Sequence, residues 1–406
     1  MDTTLSRNTA AQTPAAEQPA AWGAVLAMAL SAFALIASEF LPVSLLTPIA
    51  ADLHISEGQA GQAIAISGAF ALVTSLSMAP LAGRFDRKHV LLALSLLMIV
   101  SGTVVAFAPN YTIFMTGRAF LGVAIGGFWS LSAATTMRLV PASQVPRALA
   151  ILNGGNALAT VVAAPLGSFL GALVGWRGAF FCVVPLAAAA FLWKLASLPP
   201  MQAAPAPASK NVLRLLGRPA VALGMAAVSL FFMGQFALFT YLRPFLEKVT
   251  GVDVSTLSLL LLVIGVAGVA GTGLIGRLLK GGLYRVLIAI PALMAMIALA
   301  LTALGSSLAA TGVLLGLWGL AATAAPVGWW TWLARTLPRD AEAGGGLMVA
   351  VIQLAIMLGA TLGGLLYDAI GHEATFGASA LLLLVSAGLA WLAGRAGLRE
   401  TRAQPA

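Results

Sequence analysis

Two charged residues stand alone inside long apolar runs, Glu39 in residues 22–46 and Arg118 in residues 111–137. An ionisable side chain at membrane depth costs several kcal/mol unless it is paired or hydrated, so each marks a candidate site for moving protons or ions. A carboxyl in such a place is a tunable proton site, because burial favours the neutral acid whereas a guanidinium about 4–6 Å away favours the carboxylate. If the surroundings of Glu39 change between two states of the protein, it would take a proton from one side and release it to the other. The competing reading is a permanent Glu39–Arg118 salt bridge that only holds helices together.

The runs that must position these residues dominate the chain. Of 406 residues, 60% are hydrophobic and only 9% are charged, with a mean hydropathy of +0.98. No ordinary soluble domain of this length has that composition. Stretches of about 20 apolar residues, each long enough to cross a ~30 Å hydrocarbon core as a helix, recur along it. They read as spans 22–46, 58–82, 90–108, 111–137, 147–173, 178–198, 219–244, 255–279, 285–305, 309–334, 345–367 and 375–394.

An even number of spans puts both termini on one side, and the distribution of Lys and Arg says which. With cytoplasmic termini, 18 of the 22 basic residues fall on the cytoplasmic side, only Arg177, Arg243 and Lys248 fall outside, and Arg118 is intramembrane. The same asymmetry accounts for the net charge of +9 without a nucleic-acid partner, since the basic residues are spread over short loops rather than gathered into a patch. Residues 1–21 are polar and rich in Ala and Pro, unlike a signal peptide, and read as a disordered cytoplasmic tail. Cys182 is the single cysteine, so no internal disulfide forms, and its role is packing. The histidines, His54, His89 and His372, are far apart in loops and suggest no metal cluster.

Between spans six and seven, residues 199–218 are Pro/Ala-rich and then basic, unlike the tight loops elsewhere. They divide a first unit, 22–198, from a second, 219–394, leaving 395–406 as a cytoplasmic tail. A weak repeat supports the division: Gly83-Arg84 and Val90-Leu91 recur as Gly276-Arg277 and Val286-Leu287. Parallel six-span repeats of this kind build the major facilitator fold, with the substrate site between the halves near the midplane.

Individual strings carry a resemblance to that superfamily. GRFDRKHVLL, residues 83–92, resembles its loop signature between spans two and three, with Arg84, Arg87 and Lys88 at matching positions but Gly83 and Asp86 departing from the pattern. The resemblance assigns this loop, Arg84, Asp86, Arg87 and Lys88, to gating. GRAFLGVAIGG, residues 117–127, looks like the span-four signature. AAPLGSFLGALVGWRGAFF, residues 163–181, resembles the span-five antiporter signature, with Ala164 and Ser168 replacing usual glycines. The strings at 39–58, 126–141, 234–245 and 326–337 are together similar to the bacterial purine ribonucleoside efflux permeases, a branch of the twelve-span drug/proton antiporters.

The resemblance implies an all-α membrane protein with twelve transmembrane helices in two pseudo-symmetric six-helix bundles, monomeric and embedded in the bilayer of the bacterial inner membrane. It implies export of inosine- or guanosine-like nucleosides in exchange for protons, without cofactor or metal. Sister branches that export sugars such as arabinose, or amphiphilic drugs, share much of the pattern and remain the alternative. Glu39 and Arg118 lie at similar depth, each seven residues or ~10 Å from its span end at 1.5 Å per residue, and the fold implied by the resemblance lets them face one another.

A nucleoside needs a flat apolar surface for its base and hydrogen-bond partners for base edge and ribose. Phe128, Trp129 and Ser130 on span four, Gln235, Thr240 and Tyr241 on span seven, Asn156 with Asn153 on span five, and Gln353 on span eleven are the candidates. For each, a hydrogen bond between helices is the alternative role. Trp329, Trp330 and Trp332 read as interfacial anchors. An enzyme would need several catalytic groups converging at one depth, and an ATP-driven pump would need a GxxxxGK[ST] loop, which the chain lacks.

Overall fold

With no water in the hydrocarbon core to satisfy backbone amides, apolar runs of this length have the helix as their only stable form apart from a closed barrel. A computed structural model of the chain describes residues 20–82, 85–201, 212–338 and 340–403. Among them are twelve helices of 15 residues or more: α1 Trp22–Leu53, α2 Glu57–Ala82, α3 Arg87–Ala106, α4 Tyr111–Arg138, α5 Val145–Phe181, α6 Val183–Ser197, α7 Pro219–Phe239, α8 Val254–Lys280, α9 Leu283–Leu304, α10 Leu308–Thr336, α11 Ala341–Ala369 and α12 His372–Ala403. A turn of helix at Leu242–Phe245 and a π turn at Leu246–Thr250 prolong α7.

By length and composition, 11 of the described helical segments are able to cross a membrane, rather than the twelve expected. The difference lies in one 56-residue segment, Ala142–Ser197. It is broken at Gly175, whose φ of 73° and ψ of 166° leave the helical region at little steric cost only because the residue has no Cβ.

Helix ends also run past the hydropathy limits. The first helix continues to Leu53 instead of ending at 46, and the last continues to Ala403, through most of the expected 395–406 tail. Hydropathy reports where the bilayer ends, whereas helix continuation needs only tolerated residues. The tails 1–19 and 404–406, linker residues 202–211 and Arg84 lie outside the described residues.

Helix neighbours repeat after a shift of six: α1 packs on α5 and α6, α2 on α4, and α3 on α4 and α6, while α7 packs on α11 and α12, α8 on α10, and α9 on α10 and α12. The first six helices and the last six meet chiefly where α2 packs on α11 and α5 on α8. Close approach at these seams depends on glycine. On α4, Gly122 and Gly126 lie against the backbone of Ser67 and Ala71 on α2, and on α8 Gly265 lies against the backbone of Val161 on α5.

Candidate functional site

Pro42 sits inside α1 and has no N–H, so the carbonyl of Ser38, four residues earlier, loses its helical donor. A membrane helix tolerates such a gap when a neighbour supplies a replacement. Arg118, fully buried on α4, does so: Nη1 donates to the Ser38 carbonyl at 2.7 Å, Nη2 to the Glu39 carbonyl at 3.1 Å and Nε to the Ala63 carbonyl of α2 at 3.1 Å. Ser67 on α2 donates to the Arg118 carbonyl at 3.0 Å in turn. The guanidinium thus joins three helices by backbone contacts.

Glu39 is also buried, at 4% exposure. Arg118 bonds its backbone, not its carboxylate, and among the described residues that carboxylate has neither an ion-pair nor a hydrogen-bond partner. The guanidinium nonetheless stands beside that residue, since Nη2 is bonded to its carbonyl. The arrangement is a single acid in an apolar wall beside a fixed positive charge.

Next along α1, Phe40 packs against the cores of both helix sets. Its ring lies 6.0 Å from that of Phe236 on α7 at 21°, and edge-on to Phe239 at 6.3 Å. The stretch 38–40 of α1 therefore joins Arg118 of the first six helices to an aromatic group of the last six. Sequence reasoning passed over Phe40, Phe236 and Phe239 because phenylalanine in an apolar run offers no contrast; the residue next to Glu39 was the available signal.

The sequence candidates separate by position. Gln235 and Gln353 each bury a side-chain oxygen without a hydrogen-bond partner, as does the hydroxyl of Thr240, and buried polar atoms left open in this way are suited to a ligand's donors. Phe128 is buried in the core of the first six helices instead, with its ring 5.5 Å from Trp129. Ser130 is exposed and donates to Gly126 of its own helix. Asn156 is half-buried, while Asn153 is exposed and bonds the Leu149 carbonyl. Tyr241 is buried, donates to the Ala360 carbonyl at 2.8 Å and stacks on Tyr367 at 5.4 Å. In the loop before α3, Asp86 caps that helix through Lys88 N at 2.7 Å and accepts from Met201 N at the start of the linker.

Two cations at the ends of spans 178–198 and 219–244, tallied to opposite sides of the membrane, are buried. Lys194, counted with the cytoplasmic residues, is fully buried on α6 with Nζ on the hydroxyl of Ser95 and 5.8 Å from the Phe128 ring. Arg243, counted outside, is 6% exposed beyond α7, with Nε 2.7 Å from Glu247 Oε1 and Nη1 on the carbonyl of Ser44. Both lie near span edges, where a hydropathy profile does not distinguish a loop from a helix end packed on its neighbours.

Polar contacts between the two helix sets gather at the end where α1 turns into α2. Asp368 at the end of α11 accepts from Ser56 Oγ and from Gly58 N in the first turn of α2. Lys248 pairs with Glu57 at 2.6 Å, and Thr361 donates to Gln62 at 3.1 Å. Ser56, Glu57, Lys248 and Asp368, with Thr47, Tyr367 and His372, line a cavity of about 610 Å³.

Comparison with known proteins accords with this architecture. Residues 28–345 match the model of the Major Facilitator Superfamily. A "Transcription regulatory protein OpdE" of Pseudomonas aeruginosa is 61% identical over 397 residues, 97% of this chain and 98% of that one. A "Purine ribonucleoside efflux pump NepI" of Salmonella enteritidis is 43% identical over 366 residues, 90% and 92% of the respective chains. Among solved structures, a bacterial homologue of the lysosomal transporter Spinster superposes with a TM-score of 0.78 at 17% identity, covering 96% of this chain and all of that one. A D-xylose–proton symporter does so at 0.69 and 19%, covering 91% and 96%.

Proposed function

The chain belongs to the Major Facilitator Superfamily, and from that premise we propose that it exports purine ribonucleosides by proton antiport through alternating access. The observation that carries the proton part is the Glu39 carboxylate, which is buried and, among the described residues, without a direct partner, while the three side-chain hydrogen bonds of Arg118 all go to backbone carbonyls. A carboxyl so placed can exchange a proton whenever water reaches it, without first breaking an ion pair. Similarity to named purine ribonucleoside efflux pumps along nine-tenths of the chain supports the nucleoside.

In this reading the chain crosses the membrane twelve times, in two six-helix bundles with both termini cytoplasmic, and works as a monomer in the bacterial inner membrane. The packed end around Asp368 is then the periplasmic gate in its closed position. Gln235, Gln353 and Thr240 supply hydrogen bonds to ribose or base, and the Phe40–Phe236 pair supplies the flat surface.

Inside-out vesicles test the proposal. Labelled inosine should accumulate when the lumen is acidic and not when the gradient is collapsed. Accumulation of arabinose or a cationic dye in its place would establish the sugar or multidrug alternative, and no movement of inosine under any gradient would overturn the purine reading.

A further inference from the structure

A second proline, Pro48, lies six residues beyond Pro42 in α1. By the same rule it removes the helical donor to a carbonyl four residues back, that of Ser44. That carbonyl is the one taken by Nη1 of Arg243. The two prolines of α1 thus each expose a carbonyl, and each carbonyl is met by a buried arginine. Arg118 comes from the same helix set as α1, whereas Arg243 comes from the opposite set.

The consequences of the two pairings differ. Pro42–Ser38–Arg118 lies within one helix set, so movement of the sets relative to each other leaves it intact. Pro48–Ser44–Arg243 crosses between sets, at the packed end, so it must break if that end opens. Glu247, four residues from Arg243 in the adjoining π turn, holds Nε at 2.7 Å. That ion pair can persist through opening, so the guanidinium keeps a counter-charge while it gives up the carbonyl. The Lys248–Glu57 contact at this end is more exposed: Lys248 has a side-chain exposure of 55%, against 7% for Arg243.

We propose that Arg243 is a gate-positioning residue for transport, latching the closed end onto the Ser44 carbonyl that Pro48 leaves free. Partnership with Glu247 makes the latch reversible. The proposal rests on alternating access as read above and adds the residue pair that sets the balance between its two states.

Spin labels on His54→Cys and Glu373→Cys, exposed positions at this end on opposite helix sets, in a Cys182→Ala background, report that balance in the full-length protein in lipid nanodiscs. Arg243→Gln should shift the ratio of long to short distances toward the open state by roughly tenfold, the scale of one charge-assisted hydrogen bond. Pro48→Ala should shift it the same way, because the restored N–H competes with Arg243 for the Ser44 carbonyl. Since Pro48→Ala removes no charge and favours the helix, it keeps the test decisive if Arg243→Gln fails to fold. Two distances in the parent whose balance neither folded variant alters, or alters toward the closed state, would overturn the latch. A shift with Arg243→Gln alone would overturn the part given to Pro48. A single distance in the parent at every pH and inosine concentration would overturn alternating access itself, and the latch with it.

Discussion

Arg118 and Glu39 show how far single residues announce themselves. A charge in an apolar run is a one-dimensional signal, and both were found that way. What Arg118 holds was not visible, because a carbonyl freed by a proline is a backbone property; the clue was Pro42, four residues after Ser38. The account predicts that Arg118→Lys, with one nitrogen in place of a fork reaching two helices, lowers stability by about 1–3 kcal/mol by leaving buried carbonyls unmet. Pro42→Ala returns a donor to Ser38, so the double variant should lose less than the sum of the two single changes, as read from thermal unfolding in detergent. Strict additivity would mean that the proline and the arginine do not share the Ser38 carbonyl.

Helices were the more legible level, since twenty-residue apolar runs admit little else in a bilayer. Their ends were not, because α1 outlasts its hydropathy by several residues and a glycine, not a polar loop, breaks the α5 segment. Seams between helices follow from glycine spacing, but the sequence does not say which glycine meets a partner. Gly126 faces the Ala71 backbone, whereas Gly273 has open space where a Cβ would stand. Gly126→Val should therefore separate α4 from α2 at a cost of about 1–3 kcal/mol, while Gly273→Ala, which meets no neighbour and favours the helix, should not lower the unfolding temperature. Equal tolerance of both substitutions would contradict the seam described between α2 and α4.

At the scale of the molecule, helix neighbours repeat after six helices, and the family is shown by the match over residues 28–345. The packed end was illegible: Asp368 on Ser56 and Gly58, or Arg243 on Ser44, joins residues far apart in sequence and of ordinary surface type. Such contacts arise from packing one helix set on the other, which no local pattern encodes. The central claim is that Glu39 carries the proton that drives nucleoside export, and Glu39→Gln, which keeps shape and removes titration, tests it most directly. In inside-out vesicles with an acidic lumen the parent should accumulate labelled inosine, and Glu39→Gln should not, while still exchanging internal for external inosine at zero gradient. Gradient-driven accumulation by Glu39→Gln equal to the parent's would contradict the account.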